Sequence, residues 1–310
     1  MSKFVNSVNA RKTKFMNKHH DVLIAMIILV PMILWWLIAF GFPLLCGFVL
    51  GFFEWKSVNT SPTFIGFDNF IEFFNNSSYV SDLWRTIWMG ILSTSLIILS
   101  GLGTALILNI KNLKGRDFFR CVWYLPAVTS SVAVTQVINI LFHPLDGAVN
   151  KMLEGLNLST IVLSSSPEWS IVMIMIYSVW KGVGGAAIVW LAGLQSIDSS
   201  LYEAAKIDGA NVFQRFRYVT MPGLKPMATY VIITGIISAL QIYEPVAFLT
   251  NGGPNGLTNV LTLRIIQDGY FNFNFGMAGA SAFILALIIF VMSITYYRLS
   301  TREKRKEDAL

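Results

Sequence analysis

Ser200-Leu201-Tyr202-Glu203-Ala204-Ala205-Lys206-Ile207-Asp208-Gly209-Ala210 runs on through Asn211-Val212-Phe213-Gln214-Arg215-Phe216 to Pro222 and Pro226, between two long apolar stretches of the chain. The whole connection, residues 195–226, is long and patterned, and connections of this length are usually functional or disordered. Ser200 and Glu203 have the capping-box spacing that starts a helix, and Gly209 suits the left-handed residue that ends one. Asn211 and Gln214 repeat the same cap ahead of a second helix. Its apolar positions Val212, Phe213, Phe216 and Val219 fall on one stripe, with Arg215 and Arg217 off it. Pro222 and Pro226 are expected to stop that helix. The expectation is a short helix, a tight glycine turn and a second amphipathic helix, with Ala204, Ala205 and Ala210 allowing close approach of another backbone.

The rest of the chain says what holds this element. Of 310 residues, 55% are hydrophobic and only 13% charged, against about 25% charged in ordinary soluble domains. With a mean hydropathy of +0.61, lipid is the main solvent, and a soluble globule, a disordered chain, collagen and a disulfide scaffold are all excluded. Cys46 and Cys121 lie in apolar runs, where a free thiol is expected to behave as a small buried hydrophobe. A membrane span needs roughly 20 apolar residues. Six runs qualify: Val22 to Phe53, Leu83 to Ile110, Phe118 to Phe142, Trp169 to Leu194, Met227 to Thr250 and Gly276 to Arg298. The fold class is therefore an all-α polytopic membrane protein with six transmembrane helices. Its parts are a basic tail (1–21), a first span (22–53), an extracytoplasmic loop (54–82), a core of five spans (83–298) that includes the loop 195–226, and a second basic tail (299–310).

Of the 23 Lys and Arg, eighteen fall on the side of the two termini and of the loop 195–226, and three on the other. The positive-inside rule makes both termini and that loop cytoplasmic. The basic tails then read as topology signals touching anionic lipid heads, with no nucleic-acid role. The first span exceeds the 7 to 15 apolar residues of a signal-peptide core, so a retained helix is expected. For the helix pair, DNA binding is disfavoured because the loop carries four Lys or Arg and is not a free domain. A pair lying flat on the membrane and a knob docking into a cytoplasmic partner both stay open on spacing alone.

At this point the residues carry a resemblance. Glu203-Ala204-Ala205-Lys206-Ile207-Asp208-Gly209-Ala210, with Phe213, Phe216, Pro222 and Leu224-Lys225-Pro226, resembles the EAA loop of binding-protein-dependent ABC transporter permeases. Phe64-Ile65-Gly66-Phe67-Asp68-Asn69-Phe70, Leu125-Pro126-Ala127, Ala192-Gly193-Leu194-Gln195-Ser196-Ile197 and Leu249-Thr250-Asn251-Gly252-Gly253-Pro254 are similar to the maltose-type, carbohydrate-transporting branch, over residues 22 to 298. Arg85 departs from the family, standing where an asparagine is expected. The resemblance implies an ABC importer type I permease fold in a bacterial cell membrane. It implies a heterodimer with a second permease subunit, two ATPase subunits and an extracellular sugar-binding protein. It also makes Glu203, Ala204, Ala205, Asp208, Gly209, Ala210, Phe213, Phe216 and Pro222 the ATPase-coupling residues. The chain has no Gly-x-x-x-x-Gly-Lys-Ser/Thr phosphate loop, so it is expected to be no enzyme and to carry no cofactor, ATP and Mg belonging to the partner ATPase.

An ionisable residue at mid-span is a functional candidate by default, and Lys181 is near the centre of the fourth span. Tyr177, Ser178, Trp180, Lys181, Gly182 and Gly185 form a candidate wall of a sugar pathway, joined from the fifth span by Gln241, Tyr243 and Glu244. Lys181 is equally read as a structural ion pair with Glu244, where Pro245 interrupts the helix. The outer loop His143 to Glu168 reads either as a dock for the binding protein or as a lid. His143, His19 and His20 have no ligand pattern, so no metal is expected. Import of glycerol phosphate or another polar solute, and a secondary transporter with its own ion-coupling site, are the alternatives.

Overall fold

In a computed structural model, residues 22–57, 59–110 and 112–307 are described, with side chains to Thr301. The tail 1–21, with His19, His20 and its basic run, lies outside them. Five helices are long and apolar enough to cross a membrane: α1 (Val22–Leu50), α3 (Ser77–Leu108), α7 (Pro167–Ser196), the fifth span Lys225–Leu249, and the Phe275–Thr301 part of α13 (Phe275–Glu307). The expected third span is instead a bent pair, α4 (Arg116–Val128) and α5 (Ser131–Leu141), turned by 91°. Counting that pair as one crossing gives six. The bend has a local cause: Thr129 is extended and Ser130 starts a new helix, its hydroxyl accepting from the Ala133 N–H at 3.4 Å. Hydropathy, which averages over both halves, cannot see it.

The fifth span is broken too, at a different place from the one Pro245 suggests. Helix α10 (Lys225–Leu240) ends at Gln241, and α11 (Glu244–Leu249) begins after Tyr243. Pro245 sits in the first turn of α11, where its missing N–H costs nothing. Between α1 and α3 lie a two-stranded hairpin, β1 (Phe53–Glu54) with β2 (Thr63–Phe64), and the short helix α2 (Asp68–Asn75). Asn69 fastens this loop, its amide donating to the carbonyls of Gly51 and Phe53 at 2.9 Å each.

The bundle is built around α3 and α7, which pack along each other more extensively than any other pair, with α10 against α3 and α13 against α10. Three apolar clusters lie along it, centred on Met89, Ile174 and Val246, on Phe73, Leu240 and Leu261, and on Ala105, Trp190 and Leu224. Without a hydrophobic force between helices in lipid, small residues allow the closest approaches. A side chain at Gly279 would meet the Gly47 carbonyl at 2.6 Å and the Gly51 nitrogen at 2.7 Å, so α1 touches α13 through a glycine seam. The N-terminal part of α1, residues 22–38, is exposed throughout. Cys46 and Cys121 are also exposed, correcting their expected burial: an apolar run in a membrane helix can face lipid as readily as the bundle.

Candidate functional site

The connection between α7 and α10 folds as a helical hairpin. Helix α8 (Ser199–Ile207) is capped by Asp198, whose Oδ1 accepts from the Ser200 N–H at 2.9 Å. That bond holds the Asp198 carboxyl below its ordinary value. The expected Ser200–Glu203 box therefore does not form: Asp198 is the better acceptor and starts the helix earlier, which leaves Glu203 exposed on the helix body. At the far end Gly209 adopts φ +77°, a conformation that a side chain would strain, and the Ala210 N–H closes the turn on the Ala205 carbonyl at 2.9 Å. Asn211 and Gln214 make the reciprocal capping box, at 2.8 and 2.9 Å, that opens α9 (Val212–Arg215).

Pro222 and Pro226 do not stop the second helix. A π turn, Phe216–Thr220, takes up one extra residue just before Met221–Gly223, and Leu224 stays helical into α10. The second arm of the hairpin thus runs on in helical backbone into the fifth span. Tyr202 and Thr220 join its two arms by a hydroxyl contact of 2.9 Å. No residue of α8 or α9 is buried, and Ile207, Val212 and Phe213 are 86%, 74% and 73% exposed. Phe216 is half-buried, while Ala204, Asp208, Gly209 and Pro222 are exposed. An apolar face of this kind, uncovered by the described residues, marks an interaction surface.

A cavity of about 810 Å³, open on one side, is walled by α3, α7, α10 and the break before α11. Tyr177, Ser178, Lys181, Gly182, Gly185, Gln241, Tyr243 and Glu244 all line it. Trp180 does not: one residue from Lys181 on the helix, its ring turns outward and is 43% exposed. Ser93, Thr94, Tyr230, Thr234 and Ser238 also line the cavity. Hydropathy hid them inside apolar runs, although Thr234 and Ser238 stand one helical turn apart. Gly184 faces elsewhere, since a side chain there would meet the Trp123 carbonyl at 2.0 Å, whereas Gly185 opens on free space.

Lys181 ties the two broken spans together. Its ammonium donates to the Thr129 carbonyl at 3.1 Å and to the Ser131 hydroxyl, both at the bend of the third span. The Ser131 hydroxyl in turn donates to Glu244, whose carboxylate is 3.9 Å from Lys181. The Tyr177 ring lies beneath the ammonium, 5.9 Å from its centroid.

A second charged group, which the sequence reading passed over, surrounds Asp82 near the start of α3. The buried Asp82 carboxylate accepts from Arg264 at 2.7 Å, Asn259 at 2.9 Å and Arg85. Arg85 also donates to the Asn259 carbonyl at 2.8 Å. Beside them Tyr79 donates to Asp268 at 2.7 Å. The i,i+3 spacing of Asp82 and Arg85 was the available signal. In the outer loop, Asn150 is buried in α6 (Ala148–Gly155) and its side chain bonds Phe142, His143 and Ile161, while His143 pairs with Asp146. Among the described residues no cluster of His, Cys, Asp or Glu has the make-up of a metal site.

A family model for the inner-membrane component of binding-protein-dependent transport systems matches residues 10–305. The chain belongs to this family. As a member, it is a transport permease that crosses the membrane several times. Among curated relatives, the multiple sugar-binding transport system permease protein of Streptococcus mutans is 32% identical over 89% of this chain and 94% of its own length. The trehalose/maltose transport system permease protein of Thermococcus litoralis is 31% identical over 81% and 86%. A chain of a bacterial alginate ABC transporter, solved with a periplasmic protein carrying an alginate pentasaccharide, superposes with a TM-score of 0.79 at 27% identity, covering 92% of this permease and 96% of that chain.

Proposed function

We propose that this permease imports an oligosaccharide or related carbohydrate, delivered by an extracellular binding protein and driven by ATP hydrolysed on partner subunits. The exposed helical hairpin carries the proposal. It is stiffened by two caps, continuous with the fifth span and apolar on its open face, as a lever docked into a moving partner must be. Glu203 is assigned the ionic contact to that partner and Gly209 the turn, while Ala204, Ala205, Asp208, Ala210, Phe213, Phe216 and Pro222 shape the rest of the surface. The assembly in this reading is a heterodimer with a second permease and two ATPase subunits that hold ATP and Mg, with both termini cytoplasmic in a bacterial cell membrane.

The cavity supplies the pathway. Sugars combine ring-edge hydroxyls with apolar faces, and the cavity sets Tyr177 and Tyr243 beside hydroxyl and amide groups. A secondary transporter would instead rely on the Lys181–Glu244 pair and leave the hairpin without a task. Purification of the tagged chain from its native membrane, with its partners identified by mass spectrometry, separates the two. Recovery of an ATPase and a second permease, with hydrolysis stimulated by sugar and binding protein, is the expected result. Recovery of the chain alone, transporting in liposomes without ATP, would refute it.

A further inference from the structure

The cavity holds one cation and one carboxylate, and they face each other. Lys181 and Glu244 are the charged side chains among its lining residues, and every other polar group there is a hydroxyl or an amide. An ammonium at the wall of a membrane cavity would by itself draw anions, since charge attraction strengthens as water is excluded. Here the carboxylate lies 3.9 Å away and the Ser131 hydroxyl bridges the two, accepting from Lys181 and donating to Glu244. Thr129 takes a further ammonium proton through its carbonyl. The arginines that might otherwise offer positive charge, Arg85 and Arg264, are committed to Asp82, outside the cavity lining.

Resting on the reading of this cavity as a carbohydrate pathway, we infer that it is built for an uncharged sugar and that Glu244, held by Ser131, is the residue that excludes acidic ones. A uronate or phosphate entering beside Lys181 would bring a second anion against Glu244, and two carboxylates in one site disfavour each other's ionised forms. A neutral sugar meets no such opposition. Its hydroxyls find acceptors and donors in Ser178, Thr234 and Gln241, and the Lys181–Glu244 pair stays intact. The fold does not decide this preference, because the alginate transporter, which superposes closely, imports an acidic polysaccharide. What decides it is whether the cation in the cavity has a fixed counter-ion.

The test uses the complex purified from its native membrane through a tag on this chain. ATP-driven uptake is measured in liposomes for neutral gluco-, galacto-, xylo- and arabino-oligosaccharides, their uronic acid counterparts and glycerol phosphate. Binding of the accepted sugar and of its C6-oxidised form is then measured by equilibrium dialysis without the binding protein, which would otherwise impose its own choice. For a pentose sugar, a terminal glucuronate replaces the oxidised form. Wild type is expected to take up neutral sugars alone. Glu244→Gln is expected to bind the acidic form about fivefold more tightly than wild type does, the scale of one uncompensated charge in a half-exposed site. Lys181→Met added to it should erase the gain. Ser131→Ala, which removes the bridge and keeps both charges, should give a smaller gain and serves if Glu244→Gln fails to assemble. Uptake of an acidic sugar by wild type, or no gain in either variant, overturns the inference and leaves the sugar reading standing. Uptake of no carbohydrate of either kind ends both.

Discussion

Two charged clusters, one joining the second span to the segment between the fifth and sixth, the other joining the third, fourth and fifth spans, are put to opposite uses. Around Asp82 the carboxylate is completely shielded from solvent, with the arginine side chains of Arg85 and Arg264 only 16% and 24% exposed. Around Lys181 the ammonium and carboxylate side chains are 25% and 53% exposed, and both look into the cavity. The first cluster is closed: Asp82 has three side-chain donors and is shut off from solvent. The second is balanced in charge yet open on one side. Position in a span therefore does not make a charge functional. What separates the two is whether solvent or solute can still reach the carboxylate, shut off at Asp82 and 53% exposed at Glu244.

The comparison predicts a large difference in stability. Asp82→Ala leaves two arginine side chains facing a dry pocket without their carboxylate, a loss of about 3–5 kcal/mol for a broken buried pair. Thermal unfolding in detergent should show it directly. Lys181→Met should stay within about 1 kcal/mol of wild type, the range of a pair whose carboxylate stays in solvent when the cation is removed. Equal losses from the two would erase the distinction drawn between the clusters.

A finer version contrasts two glycines on one helix. Gly184→Ala drives a methyl group into the Trp123 carbonyl, now 2.0 Å from that position, and overpacking of this kind costs about 1–3 kcal/mol. Gly185→Ala meets open space in the cavity. Its melting temperature should match wild type, while the rate of sugar uptake falls as the bulk is raised from Ala to Leu.

How far these features could be read in the sequence follows from what each depends on. Spans depend on summed hydropathy, so their number and rough placement were legible. Breaks depend on single residues: Thr129 and Ser130 bend the third span, and the stretch Gln241 to Tyr243 breaks the fifth, with little change in average polarity. The Asp82 group was missed because the expected span began at Leu83, one residue beyond it, which sent Asp82 to a loop. Its partners Asn259, Arg264 and Asp268 lie far away in sequence. In the hairpin, Gly209 and the Asn211–Gln214 box were legible because cap and turn chemistry is local. Asp198 displaced Ser200 as the cap because its carboxylate takes the Ser200 N–H two residues on, which puts Ser200 inside the helix. The effect of Pro222 was misread because a π turn, invisible in the sequence, absorbed it.

The central claim is that the hairpin at Gly209 passes the partner ATPase's motion to the membrane helices. ATP-driven sugar uptake by liposomes containing the whole complex, wild type against Gly209→Pro, tests it most directly. Proline fixes φ near −65°, whereas Gly209 needs +77° and donates its N–H to Lys206 at 3.1 Å. The account predicts that the variant inserts and assembles with its partners at wild-type levels and takes up no sugar. Normal uptake by an assembled Gly209→Pro complex would contradict it.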